Sequence, residues 1–160
     1  MQVLPFTGSH DRQAFDCGRQ ELNDWLQQVA RQHQDKGLSK TFVAIRDEAP
    51  TLVCGYYALT LAELENQHLP KAWRKKLPRR IPGVRLGRLA VDRQYQGKRL
   101  GELLLIDALM RARRIYTEAG GIGLFVYALD AQAAAYYQRF GFHESPDNPR
   151  LLFLSAKAAE

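Results

Sequence analysis

No apolar run in this sequence is long enough to cross a membrane. The longest mostly apolar stretch, residues 51–62, falls short of the roughly 20 residues that a spanning helix needs. The opening Met-Gln-Val-Leu-Pro-Phe-Thr has no charged segment ahead of an apolar one, so no secretory signal is read there. A cytoplasmic location with no membrane partner is expected. Cysteine is scarce: Cys17 and Cys54 could form one bridge, but in a chain read as cytoplasmic they are expected to be buried free thiols. The histidines, His10, His33, His68 and His143, show no metal-ligand spacing such as His-x-x-x-His, and no metal is implied. Repeats and low-complexity segments are also missing. The 160 residues are expected to form a single domain over 1–160.

Apolar residues make up 46% of the chain and charged residues 25%, the balance of a folded globular protein. The net charge of +6 is unevenly placed. Between residues 71 and 91 lie Lys71, Arg74, Lys75, Lys76, Arg79, Arg80, Arg85 and Arg88 and no acid, so this segment carries +8 and the rest of the chain −2. A patch of this kind attracts a polyanion such as nucleic acid or a phosphorylated cofactor, or is a solvated basic loop. Charge alone does not separate the two.

Leu22, Trp25, Leu26 and Val29 share one face of an amphipathic helix that follows Phe15-Asp-Cys-Gly18 and ends before Gly37. Residues 41–45 and 52–59, rich in β-branched and aromatic side chains, predict two strands joined by a hairpin loop over 47–50. The proline-bounded segment 70–82 predicts an exposed loop or short helix, and 84–91 a strand. Residues 100–116 predict a long helix, with Leu104, Leu105, Ala108, Leu109, Ala112 and Tyr116 on one side, broken by Gly120-Gly121. A buried strand over 124–129, a short helix over 131–140 and a last strand over 151–154 complete the order. It is a mixed α/β order, and its strand-helix-strand steps imply parallel pairing in the second half.

Two familiar phosphate-binding patterns do not fit. No glycine starts Gly-x-x-x-x-Gly-Lys-Ser/Thr, and Gly121-Ile-Gly123 has Val126 where a dinucleotide fingerprint needs its third glycine. What fits is a strand end, then Gln96-Gly97-Lys98-Arg99-Leu100-Gly101, opening the long helix. A helix N-terminus presents unpaired amides and about half a positive charge, glycine allows close backbone approach, and Lys98 and Arg99 add cations.

The run Leu89-Ala-Val-Asp-Arg-Gln-Tyr-Gln-Gly-Lys-Arg-Leu-Gly-Glu-Leu-Leu resembles motif A of the GNAT N-acetyltransferases, whose consensus is Gln/Arg-x-x-Gly-x-Gly/Ala. Gln96 and Gly101 match its ends and Gly97 its common second position. Arg99 stands where the family has its central glycine, which predicts a helical φ/ψ there and adds a charge. Downstream, Ala128-Leu-Asp130-Ala-Gln-Ala133-Ala-Ala-Tyr136-Tyr137-Gln-Arg-Phe-Gly141-Phe142 resembles motif B. The resemblance implies the GNAT fold, an α/β architecture whose mixed central sheet has splayed parallel strands and flanking helices. It implies acetyl-CoA as cosubstrate, with its thioester between the splayed strands and its pyrophosphate on 96–101. Cofactor contacts are implied at Leu89, Ala90, Val91, Gln96, Gly97, Lys98, Arg99, Leu100, Gly101, Asp130, Ala133 and Tyr136. Tyr137, four residues before the motif glycine, is implied as the general acid that protonates the leaving thiolate. A tyrosine pKa near ~10 is close enough to that of a thiol for this transfer. Taken as residues alone, Tyr136 is the better candidate for packing. Direct attack by the amine is implied, so neither cysteine needs a nucleophilic role.

From residues 6 to 154 the chain is also similar to one GNAT subgroup, the toxins of type II toxin–antitoxin modules that acetylate aminoacyl-tRNA. The features are Phe15-Asp-Cys-Gly18, Leu22-Asn-Asp-Trp25-Leu26, Gly37-Leu-Ser-Lys-Thr-Phe-Val43, Gly55-Tyr-Tyr-Ala-Leu59 and Pro82-Gly-Val-Arg-Leu-Gly-Arg-Leu-Ala-Val-Asp92. The closing Leu-Phe-Leu joins them. This similarity implies an aminoacyl-tRNA substrate, a ribbon–helix–helix antitoxin and a homodimer. An α-amine near pKa ~7.7–8.0, lowered further by the neighbouring ester, is substantially neutral at pH 7, whereas a lysine near ~10.4 needs a base that the sequence does not display. Arg74, Lys75, Lys76, Arg79 and Arg80 are expected to hold the RNA backbone. Two other readings stay open: a transferase for a protein N-terminus or small amine, and a nucleic-acid-binding module without catalysis.

Overall fold

Alternating and β-branched residues after Lys40 pair as a hairpin. In the computed structural model, which describes residues 1–155, β2 (Lys40–Ile45) runs antiparallel to β3 (Gly55–Glu65), from Lys40 opposite Leu59 to Ala44 opposite Gly55. β1 (Gln2–Pro5) adds to the outer side of β2. The remaining strands are β4 (Arg80–Val91), β5 (Gly123–Tyr127), β6 (His143–Ser145) and β7 (Asn148–Ser155). The sheet order is β1-β2-β3-β4-β5-β7-β6, with β4 and β5 parallel at Val84–Leu124 and Arg85–Phe125 and the other described pairings antiparallel. The fold is therefore the mixed α/β sheet expected.

The chain divides into two compact units, Met1–Thr60 with Gly87–Ala108, and Leu61–Leu86 with the chain from Leu109 onward. In the first, α1 (Gln20–Asp24), a π-helical stretch (Trp25–Val29) and α2 (Ala30–Asp35) follow one another without a break. Of the predicted apolar face Leu22, Trp25 and Leu26 are buried and Val29 is half-buried against them; with Ala30 they join Phe6, Phe15, Val43, Ile45, Val53, Tyr56, Ala58 and Ala90 in one core. Trp25 stacks on Tyr56, and the Tyr56 hydroxyl donates to the Leu22 carbonyl at 2.6 Å. In the second unit, Leu64, Leu69, Ile81, Phe125, Leu151 and Phe153 form the core, with Trp73, Leu77 and Ile122 against it. α3 (Lys71–Arg74), α4 (Leu100–Ala119) and α5 (Ala131–Arg139) complete the described helices.

Several boundaries differ from the sequence expectation, each for a local reason. The third strand starts at Gly55 rather than at residue 52, because the Leu52 amide is spent on the Ala49 carbonyl in the turn. It runs on to Glu65, where exposed Leu61 and Glu63 alternate with less exposed Ala62 and Leu64. β4 begins at Arg80, not 84, with Pro82 inside it. Pro82 lies ahead of the parallel ladder with β5 that starts at Val84, and its carbonyl accepts from the Ile122 amide at 3.0 Å. β1 and β6, of four and three residues, are too short for a period-two pattern to announce them.

Gly55 sets how closely α4 starts against β3. A Cβ at this position would stand 2.9 Å from Leu104 Cδ1, 3.1 Å from the Ala90 carbonyl oxygen and 3.4 Å from Leu100 Cδ2. Leu104 and Leu100 are buried, so neither has room to retreat. Gly55→Ala should destabilise the fold by about 1–3 kcal/mol through overpacking. A denaturant titration checks this; an unchanged midpoint would show that the helix start shifts freely.

Candidate active site

The candidate phosphate turn is built where β4 gives way to α4. Asp92 follows the strand, its carboxylate Oδ1 accepting from the Gln94 amide at 3.0 Å, and a short 3-10 turn (Arg93–Tyr95) reverses the chain. Gln96, Gly97, Lys98 and Arg99 are exposed, while Leu100 is buried and anchors the first turn of α4. The first bond of the helix joins the Leu103 amide to the Arg99 carbonyl at 3.1 Å, which leaves the amides ahead of Leu103 as the N-terminal donors. Gly101 sits among them. The end of β4 supplies Leu89, Ala90 and Val91, of which Ala90 is buried in the core and its neighbours are half-buried.

Two residues of the turn take left-handed backbone angles: Gly97 at φ 77° and Arg99 at φ 65°. The helical angles expected at Arg99 are not found. Arginine here adopts the conformation that a glycine would take without strain, so the departure from the family's residue keeps the backbone path. Nothing lies within 4 Å of a Cβ built on Gly97. A side chain at that position would therefore enter open space rather than collide with protein. Arg99→Gly removes the left-handed penalty but loosens the unfolded chain, and the two effects nearly offset at about 1 kcal/mol each. Stability should change little and coenzyme A affinity should be retained, whereas Arg99→Val should lower stability clearly. Melting curves and calorimetric titration with coenzyme A check both variants, and a lost affinity in Arg99→Gly would mean that the guanidinium itself is required.

Gln96 has a second task that the motif does not disclose. Its Nε2 donates to the Val91 carbonyl at 2.8 Å and to the Cys17 carbonyl at 2.9 Å. On the far side of the turn Tyr95 lies under two cations, Arg46 at 5.5 Å and Lys98 at 5.8 Å from its ring centroid.

In the second unit, Asp130 caps α5, accepting from the Ala133 amide at 2.8 Å. Tyr137 is buried on this helix between Tyr136, at 5.5 Å, and Phe142, at 5.4 Å between ring centroids. Burial, with a smaller push from Tyr136, raises its hydroxyl pKa well above the ordinary tyrosine value. Tyr136 is half-buried, edge-on to Phe140 at 5.0 Å with the Arg139 guanidinium 5.6 Å from its ring centroid.

The basic segment also folds within the second unit. Trp73 of α3 packs edge-on against Phe153 and His143. Arg74 is half-buried and its Nε donates to the Leu69 carbonyl at 2.9 Å. Lys71, Lys75, Lys76, Arg79 and Arg80 are exposed, and Arg79 lies 3.7 Å from Glu65 in a solvated ion pair of little strength. The other two cations of the +8 segment are used elsewhere: Arg85 lies 4.9 Å from the Tyr127 ring centroid and Arg88 4.6 Å from that of Trp25. The patch available to a polyanion is thus narrower than the charge count suggests. Just before it, His68 Nδ1 is 2.8 Å from Asp147, and the Ser145 hydroxyl donates to the His68 carbonyl at 2.6 Å, fixing where the segment leaves the fold.

Cys17 and Cys54 are free thiols, half-buried and buried, and burial raises the pKa of both. Neither is activated as a nucleophile. Among the described residues no three histidine, cysteine or acidic side chains gather as a metal site, and no helix is long and apolar enough to cross a membrane.

Residues 37–144 match the acetyltransferase (GNAT) domain family. The tRNA-acetylating toxin of Mycobacterium tuberculosis is 36% identical to this chain over 149 residues, covering 93% of this chain and 88% of that protein. Among solved structures, AtaT complexed with acetyl-methionyl-tRNAfMet matches with a TM-score of 0.91 at 34% identity, covering 99% of this chain and 96% of the other. A tyrosine-to-phenylalanine mutant of the AtaT toxin, bound to the C-terminus of the antitoxin AtaR and to acetyl-CoA, matches with a TM-score of 0.81 at 31% identity, over 98% and 94%.

Proposed function

The chain belongs to the GNAT acetyltransferase family, and from that premise we propose that it transfers the acetyl group of acetyl-CoA to the α-amine of aminoacyl-tRNA, acting as one catalytic domain. The observation that carries the transferase chemistry is the phosphate turn: two left-handed residues, a helix N-terminus and two cations where a pyrophosphate needs them. The similarity over almost the whole chain to a tRNA-acetylating toxin and to AtaT carrying acetyl-methionyl-tRNAfMet supports the substrate. A cytoplasmic toxin role follows, because an acetylated aminoacyl-tRNA has no free amine with which to accept a growing peptide.

Gln96, Gly97, Lys98, Arg99, Leu100 and Gly101 hold the pyrophosphate in this proposal. Leu89, Ala90 and Val91 present backbone groups to the pantetheine and the thioester, where amides aimed at the developing oxyanion lower the barrier by a few kcal/mol. Asp130, Ala133 and Tyr136 complete the cofactor contacts. Tyr137 gives its proton to the departing sulfur. Burial keeps its hydroxyl protonated over the working pH range, so it is a donor when charge develops on that sulfur. The burial-raised thiols of Cys17 and Cys54 accord with direct transfer rather than an acyl-enzyme.

Arg74, Lys75, Lys76, Arg79 and Arg80 hold phosphates of the tRNA. An antitoxin of the ribbon–helix–helix type and a homodimer belong to the proposal. The antitoxin is supported by the AtaT complex with AtaR, and the dimer by exposed Leu103, Ile106 and Met110 at helical spacing on α4. A non-catalytic module loses its main support, since Arg99 occupies the backbone conformation a glycine would. Acetylation of purified aminoacyl-tRNA, compared with a peptide N-terminus and free polyamines, tests the proposal directly.

A further inference from the structure

The motif Phe15-Asp16-Cys17-Gly18 has no part in the chemistry above, yet its Asp16 and Cys17 are bonded to the turn proposed for the pyrophosphate. The Asp16 amide donates to Asp92 Oδ2 at 3.1 Å, and the Arg93 amide donates back to the Asp16 carbonyl at 2.9 Å. The Asp16 carboxylate folds inward on its own loop: Oδ1 accepts from the Gly18 amide at 2.9 Å and from Asn23 Nδ2 at 3.0 Å. Asn23 is a buried polar residue of α1, and its Oδ1 accepts in turn from the Cys17 amide at 2.8 Å. These bonds fix the direction of the Cys17 carbonyl, which receives Gln96 Nε2. Arg93 Nε lies 3.7 Å from Asp16 Oδ2 and balances the charge.

A turn with two left-handed residues, one of them an arginine, is not held by local preference. Such backbone persists only where its surroundings over-determine it. The Asp92 amide ties the turn to the Cys54 carbonyl at 2.9 Å, and the loop that Asp16 organises adds the Asp92 carboxylate, the Arg93 amide and one of the two bonds from Gln96.

We propose that Asp16, acting through Asn23, the Cys17 carbonyl and Gln96, is a positioning residue that pre-forms the turn for the pyrophosphate of acetyl-CoA. This rests on the assignment of 96–101 to that pyrophosphate. Asp16 touches no substrate in this scheme. It sets the geometry of a site that would otherwise have to be ordered by the ligand, so its loss appears in binding rather than in the chemical step.

The test compares acetyl-CoA with S-acetyl-pantetheine, which carries the same thioester and no pyrophosphate. Asp16→Ala should raise KM for acetyl-CoA about tenfold, the scale of one lost charge-assisted hydrogen bond, with kcat unchanged. Its kcat/KM for S-acetyl-pantetheine should equal that of the wild type. Asp16→Asn keeps the Oδ1 acceptor and should recover most of the acetyl-CoA affinity. Asn23→Ala, which removes the link between the Asp16 carboxylate and the Cys17 amide without touching the turn, should show the same split; combined with Asp16→Ala it should add little, because both act through one connection. Equal losses on the two thioesters, or fully additive effects, would overturn the positioning role. If Gly97 and Lys98 substitutions also left the preference for acetyl-CoA over S-acetyl-pantetheine intact, the pyrophosphate assignment itself would be wrong.

Discussion

Tyr137→Phe should lower turnover by roughly 10²-fold or more while leaving acetyl-CoA affinity nearly unchanged, because it removes one proton and no binding surface. The ring of Tyr137 is what packs between Tyr136 and Phe142, and phenylalanine retains it. The pH profile gives the argument a sign. Burial favours the neutral hydroxyl and moves its pKa upward, so the acid form persists through pH 10. The rate should therefore rise as the substrate amine loses its proton and then stay level, with no alkaline fall before about pH 10. Tyr136→Phe is the control and should change little. A variant pair with the opposite outcome would transfer the acid role to Tyr136.

The second large effect concerns the RNA. Reversing the charge at Arg74, Lys75, Lys76, Arg79 and Arg80 together should reduce acetylation of charged tRNA to below a hundredth of the wild-type rate, with coenzyme A binding unaltered. Arg74 is the least interchangeable of the five, since its Nε also holds the Leu69 carbonyl; Lys75→Glu and Lys76→Glu make the milder test. Five phosphate contacts predict a fall in affinity of about 10²–10³-fold between 50 and 200 mM salt. In the reversed variant that slope should largely vanish. A wild-type rate indifferent to salt would remove the segment from the substrate site.

Much of this was legible in the residues. A strand followed by a glycine-bearing turn and a long helix is legible at 84–116, and the spacing from Tyr137 to Gly141 spans the end of one short helix. Local spacing within a continuous element survives into the structure. What did not survive depends on partners far away in the chain. Arg85 and Arg88 count toward the basic patch until Tyr127 and Trp25 are seen beside them. Asp16 looks like a loop acid until the Asn23, Asp92 and Arg93 contacts are known. Pro82 suggests a strand end, yet β4 runs through it from Arg80, ahead of the ladder with β5 that starts at Val84. Arg99 shows that a left-handed position need not carry the residue that favours it, provided the surrounding bonds are strong enough.

Incubation of the purified protein with radiolabelled acetyl-CoA and a pool of aminoacylated tRNA, beside the same tRNA stripped of its amino acids, tests the central claim most directly. Label should enter the aminoacylated pool alone, be released by mild alkali as N-acetyl amino acid, and be nearly absent with Tyr137→Phe. Label that passed readily to free polyamines or a peptide N-terminus, and ignored the aminoacylated pool, would contradict the assignment of aminoacyl-tRNA as the substrate.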